Sequence, residues 1–549
     1  PLGSMSDRDV CIQRLTGANQ DHILTALEHG SEAERASLTA QITNELAGVD
    51  FRHFNDVLRE SLEISKNCST ASLAEPPAKD SFFDISSVDR RRGQAKRIKN
   101  LEAVGYKAIQ KGQIAFLILA GGSGTRLGFD KPKGFFTCDG LQQRKSLFMM
   151  HCEKIRRRQE IAESISGSGR KARVQLLVMT SGQNDAETQR FFEENSYFGL
   201  EREQVHFFAQ SSVPCYDENT GRIIMENRGR ICAAPGGNGA VFAALAAPRA
   251  TKDKDGTLQV KESLLQHLRK LGIAYVQIGN IDNLLANVAD PVFIGYAIEE
   301  EAHVVVKTCP KRGPDERVGV FVRASGKWGV VEYTEIGDRA KEIDDATGEL
   351  KFNCANISSN LCSLHFMSLA AERMKSFTQY HAARKKIPTI KGPVMGIKLE
   401  AFLFDLFRFV DECDHPPKDS GAFRIMQVDR DDEFGPVKNA DGAASDTPAD
   451  AVRLLLSQHT RWLITALETA AMSDEQESIR GGVDVTEAKE AVAVMRSCSI
   501  KAEISPLVSV GGEGLRQHLP RVIHQLLRNP PPVIFIRRDD EVVSESSNM

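Results

Sequence analysis

The 549-residue sequence has no apolar run near the roughly 20 residues a membrane-spanning helix needs, which excludes a helical membrane protein. Its 11 cysteines are scattered singly, with no C-x-x-C pair and no His/Cys spacing suited to zinc. That usage excludes a disulfide scaffold and points to reduced thiols in an intracellular compartment. There is no excess of positive charge: 70 Lys and Arg against 74 Asp and Glu leave a formal net charge of -4. A dedicated nucleic-acid binder is therefore not expected, and any anion site must be a local cluster of cations. A Walker loop is also missing, because Gly128 is followed by Phe129 and Asp130 rather than Lys and Ser/Thr. The dinucleotide fingerprint fails too, since Gly122, Gly124 and Gly128 give G-x-G-x-x-x-G. No internal repeat is visible, and "PLGSM" reads as a cleavage scar ahead of a native Met5.

What is present begins with texture. Residues from about 19 to 64 look helical, with Leu38, Ile42 and Leu46 and then Phe54, Leu58 and Leu62 at four-residue spacing. The Ser-, Ala-, Pro- and Asp-rich stretch from Asn67 to Arg92 reads as a linker or long loop. From Ile114 the apolar runs IAFLILA, VQLLVM, VHFF, AYVQI and HVVVK alternate with longer polar or amphipathic segments. Strands separated by helical crossovers predict an α/β fold with a mainly parallel sheet. A helix is predicted from about Ala449 to Met472. The length favours two or three domains, and the expected units are a mainly helical region 5–105, a catalytic domain 106–445 and a small α+β domain 446–549.

The chemistry is concentrated in "LILAGGSGTRLGFDKPKGFF", residues 117–136. Gly121, Gly122 and Gly124 follow a buried strand and let backbone N–H groups approach an anion closely. Arg126 supplies a planar fork and Lys133 a compact point charge for phosphate oxygens. The pattern L-x-G-G-x-G-T-R-L-G followed by Pro132-Lys133-Gly134 resembles the signature of sugar nucleotidyltransferases. In nucleotidyl transfer both reactants are highly anionic, so fixed cations lower the barrier and no covalent protein nucleophile is needed.

"APGGNGAVFAAL", residues 234–245, sharpens this, because it resembles the glycine–asparagine segment of eukaryotic UDP-N-acetylhexosamine pyrophosphorylases. The resemblance runs from about residue 100 to the tail. It implies a Rossmann-like, glycosyltransferase-A-like central domain and uridylyl transfer from UTP to N-acetylglucosamine-1-phosphate. It also implies Mg²⁺ as cofactor, with Mn²⁺ as the substitute. By position it implies that Leu119, Ala120, Gly121, Gly122, Lys133, Met179, Gln210 and Gly237 bind the nucleotide. Asn238, Gly319, Glu332, Asn356, Lys398 and Lys438 would bind the sugar phosphate, Asp282 would hold the metal, and Arg126, Lys133 and Lys438 would serve catalysis. Where that family has an acidic residue before the uracil-side glycine, this chain has Gly236. "EISPLVSVGGEGL" matches a segment of the family's C-terminal domain to which no catalytic role is given.

Other features read as bland. The basic run Lys154 to Arg158 is expected to be a solvated helix face. His151 and Cys152 have no metal-like partners nearby. Asp290 is an alternative to Asp282 as a loop-capping residue, while Asp405 and Asp411 are either a second metal carboxylate and a loop residue or polar breaks in a helix. UDP-glucose or UDP-sugar pyrophosphorylase is the rival enzyme, and a catalytically silent nucleotide-sugar-binding subunit is the rival class. No nucleic acid or membrane partner is expected. The expected compartment is the cytoplasm, with a peroxisome-like organelle as the alternative through Ser547-Asn548-Met549.

Overall fold

The computed structural model describes residues 6–67, 72–167, 169–252, 258–377, 379–413, 421–472 and 483–538. The strands that organise it are β1 (Phe82–Asp84), β2 (Ile114–Leu119), β3 (Gln175–Ser181), β4 (Val205–Gln210), β5 (Tyr275–Asn280), β6 (Val304–Pro310), β7 (Val320–Ala324), β8 (Lys327–Val331), β9 (Cys354–Ser363), β10 (His381–Ile387), β11 (Val394–Glu400) and β12 (Phe423–Gln427). The central sheet runs β1-β12-β6-β9-β5-β2-β3-β4. All neighbours in it are parallel except where β9 meets β5 and β6. The five apolar runs of the sequence are β2 to β6, and the sheet is the mixed, mainly parallel one expected.

Along β2 the side chains sort by the two-residue period of a strand. Phe116 and Ile118 join one core with the helices Ala95–Gln110, Leu147–Ser166 and Pro291–Glu299. Ala115 and Leu117 join the other with the helices Val241–Ala246, Leu264–Lys270 and Leu364–Arg373. Covering both faces explains why these strands are apolar throughout rather than alternating.

The helical stretch predicted from about 19 to 64 comprises Asp21–His29, Glu32–Ala40 and Phe51–Asn67, with a π turn at Gln41–Glu45, and a further helix, Asp7–Leu15, precedes it. These share a core with Ile397 and Leu399 of β11. The segment read as a linker from Asn67 to Arg92 is corrected. Phe82–Asp84 pairs with β12, and Phe83 is buried in the core. Its pairing partner lies more than three hundred residues away, so local composition could not reveal it.

At the other end, the helix Pro448–Ala471 agrees closely with prediction, with Thr447 and Asp450 forming a capping box. It packs with Val485–Ser497, Leu519–Arg528 and the strand pair Lys501–Ile504 and Val533–Ile536. The basic run Lys154 to Arg158 is a second correction. Lys154 and Arg158 are buried, Lys154 donating to the carbonyls of Leu284 and Ala286, and Arg158 to Tyr106 and Asn287. The ten described cysteines are free thiols. Among the described residues, no helix is long and apolar enough to cross a membrane. Ser547-Asn548-Met549 and Met5 lie outside the described residues.

Candidate active site

The chain winds outward from β2 through β3 to β4, then returns to place β5 on the other side of β2. The sheet therefore reverses its winding between β2 and β5, and the loops leaving their carboxyl ends part into a crevice. Leu119 and Asn280 are register partners, so the glycine loop and Asp282 leave the sheet side by side.

The loop is shaped by close contacts. The Ala120 N–H donates to the carbonyl of Met179 at 2.8 Å, while the Met179 side chain is buried in the core. A Cβ on Gly121 would stand 2.1 Å from Nε2 of Gln210, so only glycine lets that amide lie across the loop. Gln210 is itself buried, and its Oε1 has no hydrogen-bond donor. Gly122 is exposed with open space where a Cβ would be, and its carbonyl accepts from the N–H of Lys133, closing the loop at its neck. Arg126 is exposed on the turn Thr125–Leu127.

Across the crevice, Lys133 Nζ lies 3.1 Å from Oδ2 of Asp282, and both side chains are largely buried. Oδ1 of Asp282 is buried and has no partner. The carbonyl of Asp282 accepts from Val437 N–H at 2.9 Å, and that of Arg126 accepts from Ala440 N–H at 3.1 Å. These two bonds bring the segment carrying Lys438 to the same crevice. Lys438 is half-buried, 3.7 Å from Asp446 and 5.3 Å from the centre of the Phe434 ring. Asp290 is occupied elsewhere: it caps the helix Pro291–Glu299 and pairs at 2.6 Å with the buried Lys307, which also holds Glu433.

A second wall is laced to the first, because Gly236 N–H donates to the carbonyl of Ser211, the residue after Gln210. Gly237 has φ +93°, and a Cβ there would stand 2.3 Å from the carbonyl oxygen of Ala401. Gly236 and Gly239 exchange backbone hydrogen bonds with Ala401, and Oδ1 of Asn238 accepts from Leu403 N–H at 3.0 Å. Lys398 sits just upstream on β11; its neighbours Ile397 and Leu399 pack on the N-terminal helices, so it points to the opposite face.

The third wall exists because β9 runs against its neighbours and so begins at the carboxyl edge of the sheet. Asn356, near that beginning, donates its N–H to the carbonyl of Gly319 at 2.9 Å. Oε1 of Glu332 lies 3.0 Å from where a Gly319 Cβ would be. Burial, and then the neighbouring Glu335, push the Glu332 carboxyl above its usual range.

Asp405 is neither a free metal carboxylate nor a helix break. It caps the turn Leu403–Glu412 through Phe402 N–H and lies 3.1 Å and 3.3 Å from Nε2 of His381. Sequence reading missed His381 and Glu335, whose role emerges only when distant elements meet.

Asp282 suits a hard cation, because a buried carboxylate oxygen without a partner is what such an ion requires. Among the described residues, no group of three or more His, Cys, Asp or Glu stands ready for a metal. An ion at Asp282 would therefore complete its shell with phosphate oxygens and water.

Comparison with known proteins agrees with this architecture. The chain is 35% identical over 468 residues to UDP-N-acetylglucosamine diphosphorylase 2 of Arabidopsis thaliana, covering 84% of this chain and 86% of that protein. A solved structure of the uridine diphosphate N-acetylglucosamine pyrophosphorylase from Trypanosoma brucei, in complex with inhibitor, is 96% identical and covers 98% of this chain and 100% of that one, with a TM-score of 0.90. A putative UDP-N-acetylglucosamine pyrophosphorylase from Entamoeba histolytica is 29% identical, covering 81% and 96%, with a TM-score of 0.63. Residues 51–482 match the family model described as UTP–glucose-1-phosphate uridylyltransferase, and the chain belongs to that family.

Proposed function

We propose that this chain is a UDP-N-acetylglucosamine pyrophosphorylase. It transfers uridylyl from UTP to N-acetyl-α-D-glucosamine-1-phosphate, releasing pyrophosphate in a reversible reaction. The observation that carries the reading is the pairing across the crevice of Lys133 with Asp282, beside a glycine loop whose exposed Gly122 leaves the backbone open to close approach. The near-identity to the trypanosomal pyrophosphorylase supports the hexosamine branch over UDP-glucose synthesis.

The uracil would lie against Gly121 and Gly237, where the orphaned Oε1 of Gln210 can accept from a ring N–H. The triphosphate would follow the loop from Gly122 toward Arg126 and Lys133. Lys398 and Lys438 would hold the sugar phosphate, and Asn238, Gly319, Glu332 and Asn356 would offer the hexosamine convergent polar groups. An oxygen of the sugar phosphate attacks the α-phosphorus, the bond from that phosphorus to the bridging oxygen breaks, and pyrophosphate leaves with the electron pair. Arg126 and Lys133 stabilise the charge that develops on the transferring group. Mg²⁺ held by Asp282, or Mn²⁺ in its place, would supply further charge neutralisation when bound.

A pyrophosphate-release assay tests the reading, with UTP and either N-acetylglucosamine-1-phosphate or glucose-1-phosphate. Preference for the acetylated sugar is expected. Preference for glucose-1-phosphate would move the chain to the rival branch, and no release with either would make it a silent binding subunit. The proposed compartment is the cytoplasm. A reporter carrying the last ten residues would expose the peroxisome-like alternative as punctate signal lost on deleting Met549.

A further inference from the structure

Three elements remote in sequence meet at one imidazole. His381 begins β10, the strand paired with the Lys398 strand β11, with Ala383 opposite Lys398. Its Nε2 donates to Asp405, which holds the N–H of Phe402 and so fixes the turn following Ala401. That turn is the one laced to Gly236, Asn238 and Gly239. Nδ1 lies 3.9 Å from Glu335, whose own carboxylate accepts from the N–H of Glu332. The ring also lies against Phe402, with centroids 4.6 Å apart. The side chain is 17% exposed, so little water competes for these bonds.

We propose that His381 is a positioning residue for the sugar half of the site, its imidazolium tying the Glu332 loop to the turn that carries Ala401 and Phe402. The inference rests on the reading of Glu332 and Asn238 as sugar contacts. The charges facing the ring are Asp405 from the turn and Glu335 and Glu332 from the loop after β8, and Lys327 and Arg408 line the same cleft. Burial alone would lower the basicity of the ring. The hydrogen bond and charge of Asp405, with Glu335 and Glu332, outweigh burial and hold it above its ordinary value. That shift favours the cationic ring, whose charge offsets the carboxylates that surround it. As pH rises through that elevated value the tie is lost, and use of the sugar phosphate should fall with it.

Full-length His381→Gln and His381→Leu should be compared with wild type across about pH 6 to 9. The leucine variant should raise KM for N-acetylglucosamine-1-phosphate about tenfold or more while KM for UTP stays within about twofold. The glutamine variant keeps a donor for Asp405 but carries no charge, so its sugar KM should stay near the raised value that wild type reaches at alkaline pH and show no alkaline decline of its own. A sugar KM unchanged in both, KM values for both substrates rising together, or an alkaline decline that survives in His381→Gln would each overturn the proposal. Should the leucine variant fail to fold, the glutamine variant alone still decides through its pH profile. Glu332→Ala and Asn238→Ala separate the two levels. If they leave the sugar KM unmoved, the reading of the site is wrong; if they raise it and the His381 variants do not, only this inference falls.

Discussion

Lys133 and Asp282 hold each other across the crevice, and in the proposed reaction each would have a second use, Lys133 at the phosphates and Asp282 at a metal. Removing either therefore has asymmetric consequences. Lys133→Ala takes a cation from the transferring phosphate and should lower kcat by about 10²- to 10³-fold, the usual cost of losing one donor to developing charge. Asp282→Asn leaves Lys133 in place but offers a metal only an amide, so it should raise the Mg²⁺ concentration needed for half-maximal rate. A titration with the same metal dependence as wild type would move the cation elsewhere. Gly121→Ala should lower the melting temperature by driving a Cβ into the Gln210 amide, and Gly121→Ala with Gln210→Ala should recover it. At Gly236, by contrast, nothing lies closer than 3.4 Å to an added Cβ, so packing at that atom does not require glycine. The glycine loop was legible from sequence because its pattern of glycines and cations is specific, and at Gly121 and Gly124 close packing leaves no room for a Cβ. The burial of Lys154 and Arg158 was not, because charge normally means solvent, and the carbonyls that hold Lys154 lie some 130 residues downstream.

Among elements, the C-terminal segment without a catalytic role acquires one of support. The carboxylate of Glu503, nearly fully buried, accepts from the N–H groups of Gln142 and Gln143, in the loop that follows Lys133 and the Phe135–Phe136 pair. Ser505 accepts from Lys145, itself bonded to Glu153, and Glu513 accepts from Arg157. "EISPLVSVGGEGL" thus docks one layer of the molecule onto the loop and helix behind the proposed phosphate site. Glu503→Ala would orphan the buried N–H of Gln143 and free the part-buried one of Gln142, and should cost about 1–3 kcal/mol of stability, read from urea denaturation. A variant as stable as wild type would show that water satisfies those groups. The strands β2 to β6 were readable because apolar runs of this length, broken by helical spacers, have few other uses. Edge strand β1 was not, since three residues in a Ser- and Pro-rich stretch carry no period, and only β12 gives them a partner.

The whole molecule joins its layers through buried polar groups as well as apolar cores, and that makes its stability depend on pH. His459 lies on the long C-terminal helix, fully enclosed, and its Nδ1 accepts from Ile504 N–H at 3.0 Å. Burial, with Lys154 nearby, pushes its pKa down to about 3. The ring is therefore neutral in the fold, and a proton on Nδ1 would abolish the acceptor. In the unfolded chain the same ring titrates near its ordinary value of about 6.5. The unfolded state thus binds the proton first as pH falls, so the contribution of His459 is complete above about pH 6.5 and is lost progressively toward pH 3. Enclosed carboxyls raised above their usual range, Glu433 and Glu503, act in the opposite sense, because there the folded state takes up the proton first. Absolute stability against pH mixes these effects, whereas the difference between wild type and one variant isolates a single group. His459→Asn keeps an acceptor for Ile504 but cannot titrate in this range. Between about pH 7 and pH 5, wild type should lose about 2 kcal/mol more than this variant. Parallel losses in the two proteins would mean that His459 is protonated alike in the folded and unfolded states.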